Sequence, residues 1–241
     1  MASINFIGGE KGGVGKSVTA RALAQYFIDK GVPFTGFDTV RSHHSFQRFY
    51  ADYASPVIVD SFEGLDQIVA GFENNPEQSV IVDLAAQTSA PLAKWIRDAS
   101  LLELFADMGI TVNFWHVMDD GRDAVDLLGN LVDAYGHGPN YVVVQNHGRG
   151  ANFSLLRNSE SLEKAQAVGA SVVELSGLHD TSMRKIDQYN LSFWKAINNR
   201  QGFDALGLLE RQRVKIWLKN TYAVFDALQC LKPSQVEMDT F

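Results

Sequence analysis

Lysines, glycines and a serine near the start of the chain have the types and the spacing of a phosphate-binding loop. The run Lys11–Ser17, which reads KGGVGKS, follows the short apolar segment Ile4–Ile7 and precedes a helical pattern. Glycines let the backbone bend close to a ligand and aim its N–H groups at phosphate oxygens, and the start of a helix adds the positive end of its dipole. This order of strand, turn and helix predicts a nucleoside-triphosphate site.

Side chains of this phosphate loop, residues 11–17, have separate predicted roles. Lys16 is placed to reach the β- and γ-phosphates, and the Ser17 hydroxyl is placed to bind Mg²⁺. ATP or ADP with Mg²⁺ is therefore the expected ligand. The residues expected to contact the nucleotide are Gly12, Gly13, Val14, Gly15, Lys16, Ser17, Val18 and Asn146.

Two aspartates come at the ends of candidate strands. Asp83 ends the run Ser79–Asp83 and is predicted to hold Mg²⁺ through its water shell; the alternative is a carboxylate that caps the next segment. Asp38 ends the run 34–38 and suits Mg²⁺ or its water shell; the alternative is a role in a turn. The predicted metal-site residues are thus Ser17, Asp38 and Asp83.

An asparagine follows another apolar run. Asn146 comes directly after Val142–Gln145. Its amide can donate and accept at once, which suits the edge of a purine base. A loop-capping role is equally open from the sequence, and so is the choice between adenine and guanine.

Short apolar runs alternate with amphipathic helical patterns along the chain. The candidate strands are Ile4–Ile7, Phe34–Phe37, Val57–Val59, Val80–Leu84, Thr111–His116, Tyr141–Val144 and Ser171–Leu175. The helical patterns cover residues 17–30, 62–73, 91–107, 121–136, 158–168 and 207–230. Several strands are nearly continuous Val/Ile runs, which is typical of strands covered on both faces. The alternation predicts an α/β fold, a doubly wound and mostly parallel sheet with helices on both faces and ligands at the carboxyl ends of its strands.

Composition favours one nucleotide-binding domain over residues 1–231, followed by a disordered tail at 232–241. The 241 residues, 46% of them hydrophobic, are enough to bury a substantial core. The net charge of −7 argues against a generally basic surface for nucleic acid. Cys230 is the single cysteine, which excludes a disulfide framework. Neither a signal peptide nor a bilayer-spanning stretch is visible, so we expect a cytoplasmic protein.

The two lysines of the phosphate loop carry a resemblance to a known family. Glu10 stands where the standard G-x-x-x-x-G-K-[ST] pattern has glycine, and Lys11 opens the loop with a second lysine. This is the deviant Walker A form K-G-G-x-x-K-[ST]. The chain resembles the MinD/ParA-type ATPases and, within them, the TraL-like ATPases of conjugal transfer and plasmid mobilisation. The resemblance extends through residues 11–17, 81–83, 90–92, 104–109, 146, 203–205 and 211–216.

The resemblance implies a mechanism in which two chains enclose two ATP molecules. Lys11 would reach across to the partner's nucleotide, while Lys16 acts on the phosphates of its own chain. Ser17 and Asp83 would bind the magnesium ion, and Asn146 the base. Nucleotide binding then becomes a switch for homodimer formation, and such a switch positions protein partners, here of the conjugation or mobilisation machinery.

One departure from the family pattern bears on hydrolysis. Members commonly read Asp-x-Asp-Pro after the second strand, whereas this chain reads Asp-Thr-Val-Arg at residues 38–41. Val40 can neither accept a proton nor orient the attacking water, so we expect tight ATP or ADP binding with slow hydrolysis. The remaining candidates for catalysis are Lys11, Lys16 and Asp38, with His43 and His44 open as substitutes or as plain loop residues.

Two other functions remain open. A ParA-like partitioning ATPase would coat DNA through the basic residues within 211–219, although these also fit the solvated face of a packed helix, so direct DNA binding is not favoured. A small-molecule kinase or ligase on the same scaffold would need its own acid/base groups, and the sequence shows no coherent set. No membrane anchor is expected at Pro233–Phe241, because this segment has no basic face.

Overall fold

Parallel strands form one seven-stranded sheet in the computed structural model, which describes residues 2–40, 44–59 and 61–232. The strands are β1 Ser3–Gly8, β2 Phe34–Asp38, β3 Ala54–Pro56, β4 Ser79–Asp83, β5 Thr111–Met118, β6 Asn140–Asn146 and β7 Ser171–Leu175. Their order is β3-β2-β4-β1-β5-β6-β7, and every neighbouring pair is parallel. The α-helices are α1 Lys16–Lys30, α2 Phe62–Asn74, α3 Ser89–Asp98, α4 Leu101–Asp107, α5 Arg122–Tyr135, α6 Ser154–Arg157, α7 Glu160–Ala167, α8 Asp180–Gln188, α9 Phe193–Asn198 and α10 Leu208–Ala227.

Strand β1 lies at the centre of the sheet, between β4 and β5. Ile7 pairs with Asp83 on one side, and Gly8 pairs with His116 on the other. The strands β2, β3 and β4 lie to one side of β1 and β5, β6 and β7 to the other, so the strand order reverses next to β1. The phosphate loop therefore leaves the sheet at the crevice where doubly wound folds bind their ligands.

Apolar side chains fill one core on each face of the sheet. Phe6 and Val82 belong to the core beneath helices α2 to α7. Ile81 and Trp115 belong to the core beneath α1 and α8 to α10. Successive residues of a strand point to opposite faces, so a strand covered on both faces is apolar at nearly every position. The predicted α/β fold is confirmed.

Two of the predicted elements are wrong in detail. Strand β3 is Ala54–Pro56 rather than Val57–Val59; it lies at the sheet edge, where a proline that lacks an N–H group is tolerated. The pattern at 91–107 forms two helices, because Ser100 adopts a left-handed backbone with φ of 46° between α3 and α4.

Three short helices, α6, α8 and α9, have no counterpart in the sequence prediction. The predictions for His43 and for the tail from Pro233 onward fall outside the described residues. No helix in the described ranges is long and apolar enough to cross a membrane.

Candidate functional site

The phosphate loop joins the carboxyl end of β1 to the start of α1. Gly13 and Gly15 have φ angles of 78° and 104°, in the left-handed region that favours glycine. A side chain at Gly12 or Gly13 would meet no atom within 4 Å, whereas one at Gly15 would overlap the Asn146 amide. The loop is thus open toward solvent at its tip and packed tightly at its base.

Lys16 folds its side chain back over the loop. Its Nζ donates to the carbonyl oxygens of Gly9, at 2.7 Å, and Lys11, at 2.8 Å. Burial lowers the pKa of Lys16, while the nearby carboxylates of Asp83 and Glu10 raise it. An ammonium group has three protons, so one remains for a ligand in the loop.

Asp83 is a fully buried carboxylate. Neither of its oxygens has a hydrogen-bond partner among the residues that the structure describes. Burial and the charge of Asp38 raise its pKa to about 7, against the opposing effect of the Ser17 hydroxyl, Lys16 and Arg21. A buried oxygen pair without partners, beside a serine hydroxyl, fits the oxygen ligands that Mg²⁺ prefers.

The described residues contain no cluster of three or more His, Cys, Asp or Glu side chains that could hold a metal by themselves. A magnesium ion at Ser17 and Asp83 would therefore take its other ligands from phosphate and water. Mg²⁺ characteristically binds in this way, with one or two carboxylates from the protein.

Asp38 lies beside Asp83 in the sheet but has a different role. Its Oδ1 accepts from the Val40 N–H at 2.8 Å, and its Oδ2 accepts from the N–H groups of Phe46 at 2.7 Å and Gln47 at 2.9 Å. These three bonds hold the turn after β2, which is the turn role that the sequence left open. His44 lines a separate cavity together with Asp38.

Asn146 braces the phosphate loop. Its Nδ2 donates to the Val14 carbonyl at 2.7 Å, and its Oδ1 accepts from the Gly148 N–H at 2.9 Å. This is the loop-capping arrangement. Base recognition would have to use the second amide proton and the second lone pair of the same group.

Lys11 points away from its own loop. Its Nζ lies 2.8 Å from Asp119 Oδ2, and the hydrogen bond to Asp119 raises the pKa of Lys11. Asp119 follows β5, on the opposite side of β1 from Asp83. The sequence analysis did not select Asp119, although its position after an apolar run is the same signal that identified Asp83.

A cavity of about 760 Å³ lies beside the phosphate loop. Its walls include Ser17 and Val18 on one side and Thr39 and Val40 on another. Arg21, one helical turn beyond Ser17, also lines it and was missed by the sequence analysis, because a single arginine in a helical pattern usually lies on a solvated face. Its four-residue spacing from Ser17 is the signal that could have identified it.

The last helix shows the arrangement of a packed helix with a solvated face. Trp217 and Phe225 are buried, while Lys215 and Lys219 are exposed. The two aromatic residues that open helix α9 differ in exposure: Phe193 is buried, whereas Trp194 is 58% exposed.

Comparison with known proteins gives relatives at low identity over most of the chain. The chain is 27% identical over 233 residues to Protein TraL of Escherichia coli, covering 90% of this chain and 94% of that protein. It is 26% identical over 183 residues to Protein MobD of Acidithiobacillus ferrooxidans, covering 74% of this chain and 79% of that protein. No protein-family model matches the chain.

Solved structures with the same fold include a cell division protein. MinD of Aquifex aeolicus superposes with a TM-score of 0.52 at 12% identity, over 92% of this chain and 97% of that chain. The MinC:MinD complex from the same organism gives a TM-score of 0.50 at 11% identity, over 92% of this chain and 96% of that chain. The expected resemblance is confirmed: the chain is similar to TraL and MobD over most of its length and has the MinD-type P-loop fold.

Proposed function

We propose that this chain is an ATP-binding molecular switch of the MinD/ParA class that hydrolyses ATP slowly. The observation that carries the proposal is the two-lysine phosphate loop beside the buried, unpaired carboxylate of Asp83. ATP or ADP binds in the loop with Mg²⁺, and dimerisation of the chain follows the nucleotide state.

Binding rests on the phosphate loop and on Asp83 at the end of β4 beside it. A side chain at Gly12 or Gly13 would meet no atom within 4 Å, so the loop has room for phosphate oxygens, which accept hydrogen bonds from its N–H groups. Lys16 donates a hydrogen bond from its remaining N–H to the phosphates, and Ser17 with Asp83 holds Mg²⁺ directly or through water. Magnesium, when bound, neutralises part of the phosphate charge.

Slow hydrolysis follows from the end of β2. Val40 lines the cavity where a water-activating carboxylate is expected, and a valine side chain cannot take a proton. Asp38 does not replace it, because both of its oxygens accept turn N–H groups. The nucleotide-bound state is therefore long-lived, which suits a switch better than a metabolic enzyme.

Dimer formation requires Lys11 to change partners. In the single chain its ammonium group is paired with Asp119. Reaching a nucleotide on a second chain means opening this ion pair, and the partner's phosphate charge compensates for the loss of Asp119. Similarity to TraL and MobD supports a place for this switch in conjugal transfer or plasmid mobilisation, where it acts on protein partners.

Calorimetry tests the binding step. Lys16→Ala is expected to lower ATP affinity about 100-fold at constant Mg²⁺, because a charge-assisted contact to phosphate is lost. The matched control is Lys94→Ala, whose ammonium group pairs with Asp98 on the solvent side of α3. Absence of ATP binding by the unaltered chain, or equal affinity in Lys16→Ala, would contradict the proposal.

Light scattering of the apo, ADP and ATP forms tests the switch. The unaltered chain is expected to double its mass with ATP and Mg²⁺, and Lys11→Ala is expected to stay monomeric while still binding ATP. Lys94→Ala serves again as the control and is expected to dimerise normally. A mass that does not change with nucleotide, or normal dimerisation of Lys11→Ala, would refute the switch and leave only a nucleotide-binding protein.

A further inference from the structure

Arg21 is a buried arginine in the wall of the 760 Å³ cavity. It is 3% exposed, and its Nη1 donates to Asp187 Oδ1 of α8 at 2.9 Å. The guanidinium carbon lies 3.7 Å from the centre of the Phe49 ring and 5.2 Å from that of Phe193. Aromatic rings and one carboxylate thus fix the guanidinium in place.

The remaining donors of Arg21 have no partner. Nε and Nη2 form no hydrogen bond within the described part of the chain, although both are buried. These two N–H groups lie on the same edge of the guanidinium, and this edge binds the two oxygens of a carboxylate or phosphate side by side. A buried charge with most of its N–H donors unsatisfied is costly, so the arrangement calls for a partner outside the chain.

Other cations face the same cavity. Arg48 and Arg149 also line it, and the Arg48 guanidinium lies 4.8 Å from the centre of the Phe49 ring that Arg21 covers. Burial is the main cause that lowers the pKa of Arg21, and the charge of Arg48 lowers it further. Asp187 is a cavity-lining carboxylate, and it is already paired with Arg21. Arg48 and Arg149 therefore add positive charge to the cavity beyond that of the phosphate-loop lysine.

We propose that the cavity holds a second oxyanion, a carboxylate or phosphate of a small molecule, bound side-on by Nε and Nη2 of Arg21. Arg48 adds charge to the site, and Asp187 keeps the guanidinium oriented through Nη1. A small anion suits buried donors better than a folded partner does, because it can enter the cavity whole. The oxyanion lies in the same cavity as the phosphate loop, and it is bound by Arg21 rather than by the N–H groups of the loop.

The test uses a chain whose phosphate loop is disabled, since that loop would itself bind phosphate. Lys16→Ala is titrated by calorimetry with inorganic phosphate and, in a separate arm, with acetate. Binding in one or both arms is expected, and the stronger arm identifies the oxyanion. Absence of binding in both arms at millimolar concentrations would overturn the proposal.

Second variants locate the site. Adding Arg21→Gln or Arg21→Lys to Lys16→Ala is expected to weaken oxyanion binding about tenfold or more, since lysine keeps the charge but loses the paired donors. Adding Arg97→Gln, an exposed arginine of α3, is the matched control and is expected to change nothing. Equal affinity in the Arg21 variants would overturn the proposal.

A further variant protects the test against misfolding. If near-ultraviolet circular dichroism shows that the Arg21 variants do not fold, Arg48→Gln replaces an exposed side chain and is expected to weaken binding severalfold. No weakening in Arg48→Gln would then count against the site. ATP binding by the unaltered chain is measured separately, so failure of this proposal and failure of the proposed nucleotide site give different results.

Discussion

Asp83 and Asp38 end neighbouring parallel strands and pair with each other in register, yet their surroundings are opposite. Asp38 accepts three N–H groups from the turn that follows its own strand. Asp83 accepts none within the described residues and is raised in pKa to about 7 by burial. One carboxylate stabilises the turn, while the other has no hydrogen-bond partner among the described residues and is the proposed magnesium ligand.

The two aspartates differ in whether their carboxylate oxygens accept hydrogen bonds from the protein, and this property distinguishes a structural aspartate from a candidate ligand-binding one. Buried polar groups are normally hydrogen-bonded, so a carboxylate with both oxygens unsatisfied indicates a ligand rather than a support. The 3₁₀ turn at Gln47–Phe49 explains why Asp38 is satisfied, because the N–H groups of residues 46 and 47 donate to its carboxylate. The segment after β4 brings no such donor to Asp83.

Asp83→Asn is the substitution with the largest expected effect on Mg²⁺-dependent ATP binding. Loss of the carboxylate is expected to lower Mg²⁺-dependent ATP affinity about 10–100-fold, the usual range when a residue that orients a metal's ligands is removed. Calorimetry at fixed Mg²⁺ measures it. Asp126→Asn, at an exposed position of α5, is the matched control. Unchanged Mg²⁺ dependence would show that Asp83 does not serve the metal.

The pH dependence of ATP binding tests the same role of Asp83, because a proton and Mg²⁺ compete for its carboxylate. With a pKa of about 7, the Mg²⁺-dependent affinity for ATP is expected to fall about tenfold per pH unit below 7 and to level off above 8. The Asp83→Asn variant should lose this dependence. A flat profile between pH 5.5 and 8 in the unaltered chain would contradict the assignment.

The stability of the metal-free chain is expected to decrease as the pH rises through the pKa of Asp83. The folded pKa of Asp83 lies above its ordinary value of 3.8, so the folded state binds more protons than the unfolded state between these values. The free energy of unfolding should therefore fall as pH rises from about 4 to 7. Asp83→Asn should lessen this fall and stabilise the metal-free chain at pH 8, as urea unfolding would reveal.

Val40→Asp tests whether a carboxylate after β2 can activate the attacking water, which valine cannot do. A carboxylate in the cavity wall is expected to raise ATP turnover about tenfold, less than the full effect of a positioned general base. Val40→Asn has a similar shape without a base and is the control. Phosphate release measures both, and equal rates in the two variants would show that Val40 is not the cause of the proposed slow hydrolysis.

Asp38→Asn has the smallest expected effect on binding. Replacing one carboxylate oxygen by an NH₂ group opposes it to the N–H groups of the turn, which is expected to cost about 2–4 kcal/mol of unfolding free energy. Mg²⁺-dependent ATP affinity should change less than about threefold. Asp52→Asn, exposed in the same segment, is the control for urea unfolding. A larger loss of affinity than of stability would place Asp38 in the metal site after all.

The sheet and the phosphate loop could be predicted because their signals are local. The Ser171–Leu175 strand has the bounds that its apolar run indicates, and the Lys16–Lys30 helix begins within one residue of the prediction. The break at Ser100 was invisible, since it depends on a left-handed backbone that helix periodicity does not encode. Strand β3 was misplaced because edge strands need less apolar sequence than central ones.

The sequence by itself determined that a phosphate loop stands at the centre of a parallel sheet, because seven adjacent residues and the alternation of apolar runs contain that information. Only the tertiary structure decided what each polar side chain at the sheet edge does. Asn146 contacts Val14, 132 positions away, and Arg21 contacts Asp187, 166 positions away. Hydrogen bonds between such distant residues exist only after the strands have assembled, so no local pattern could assign them.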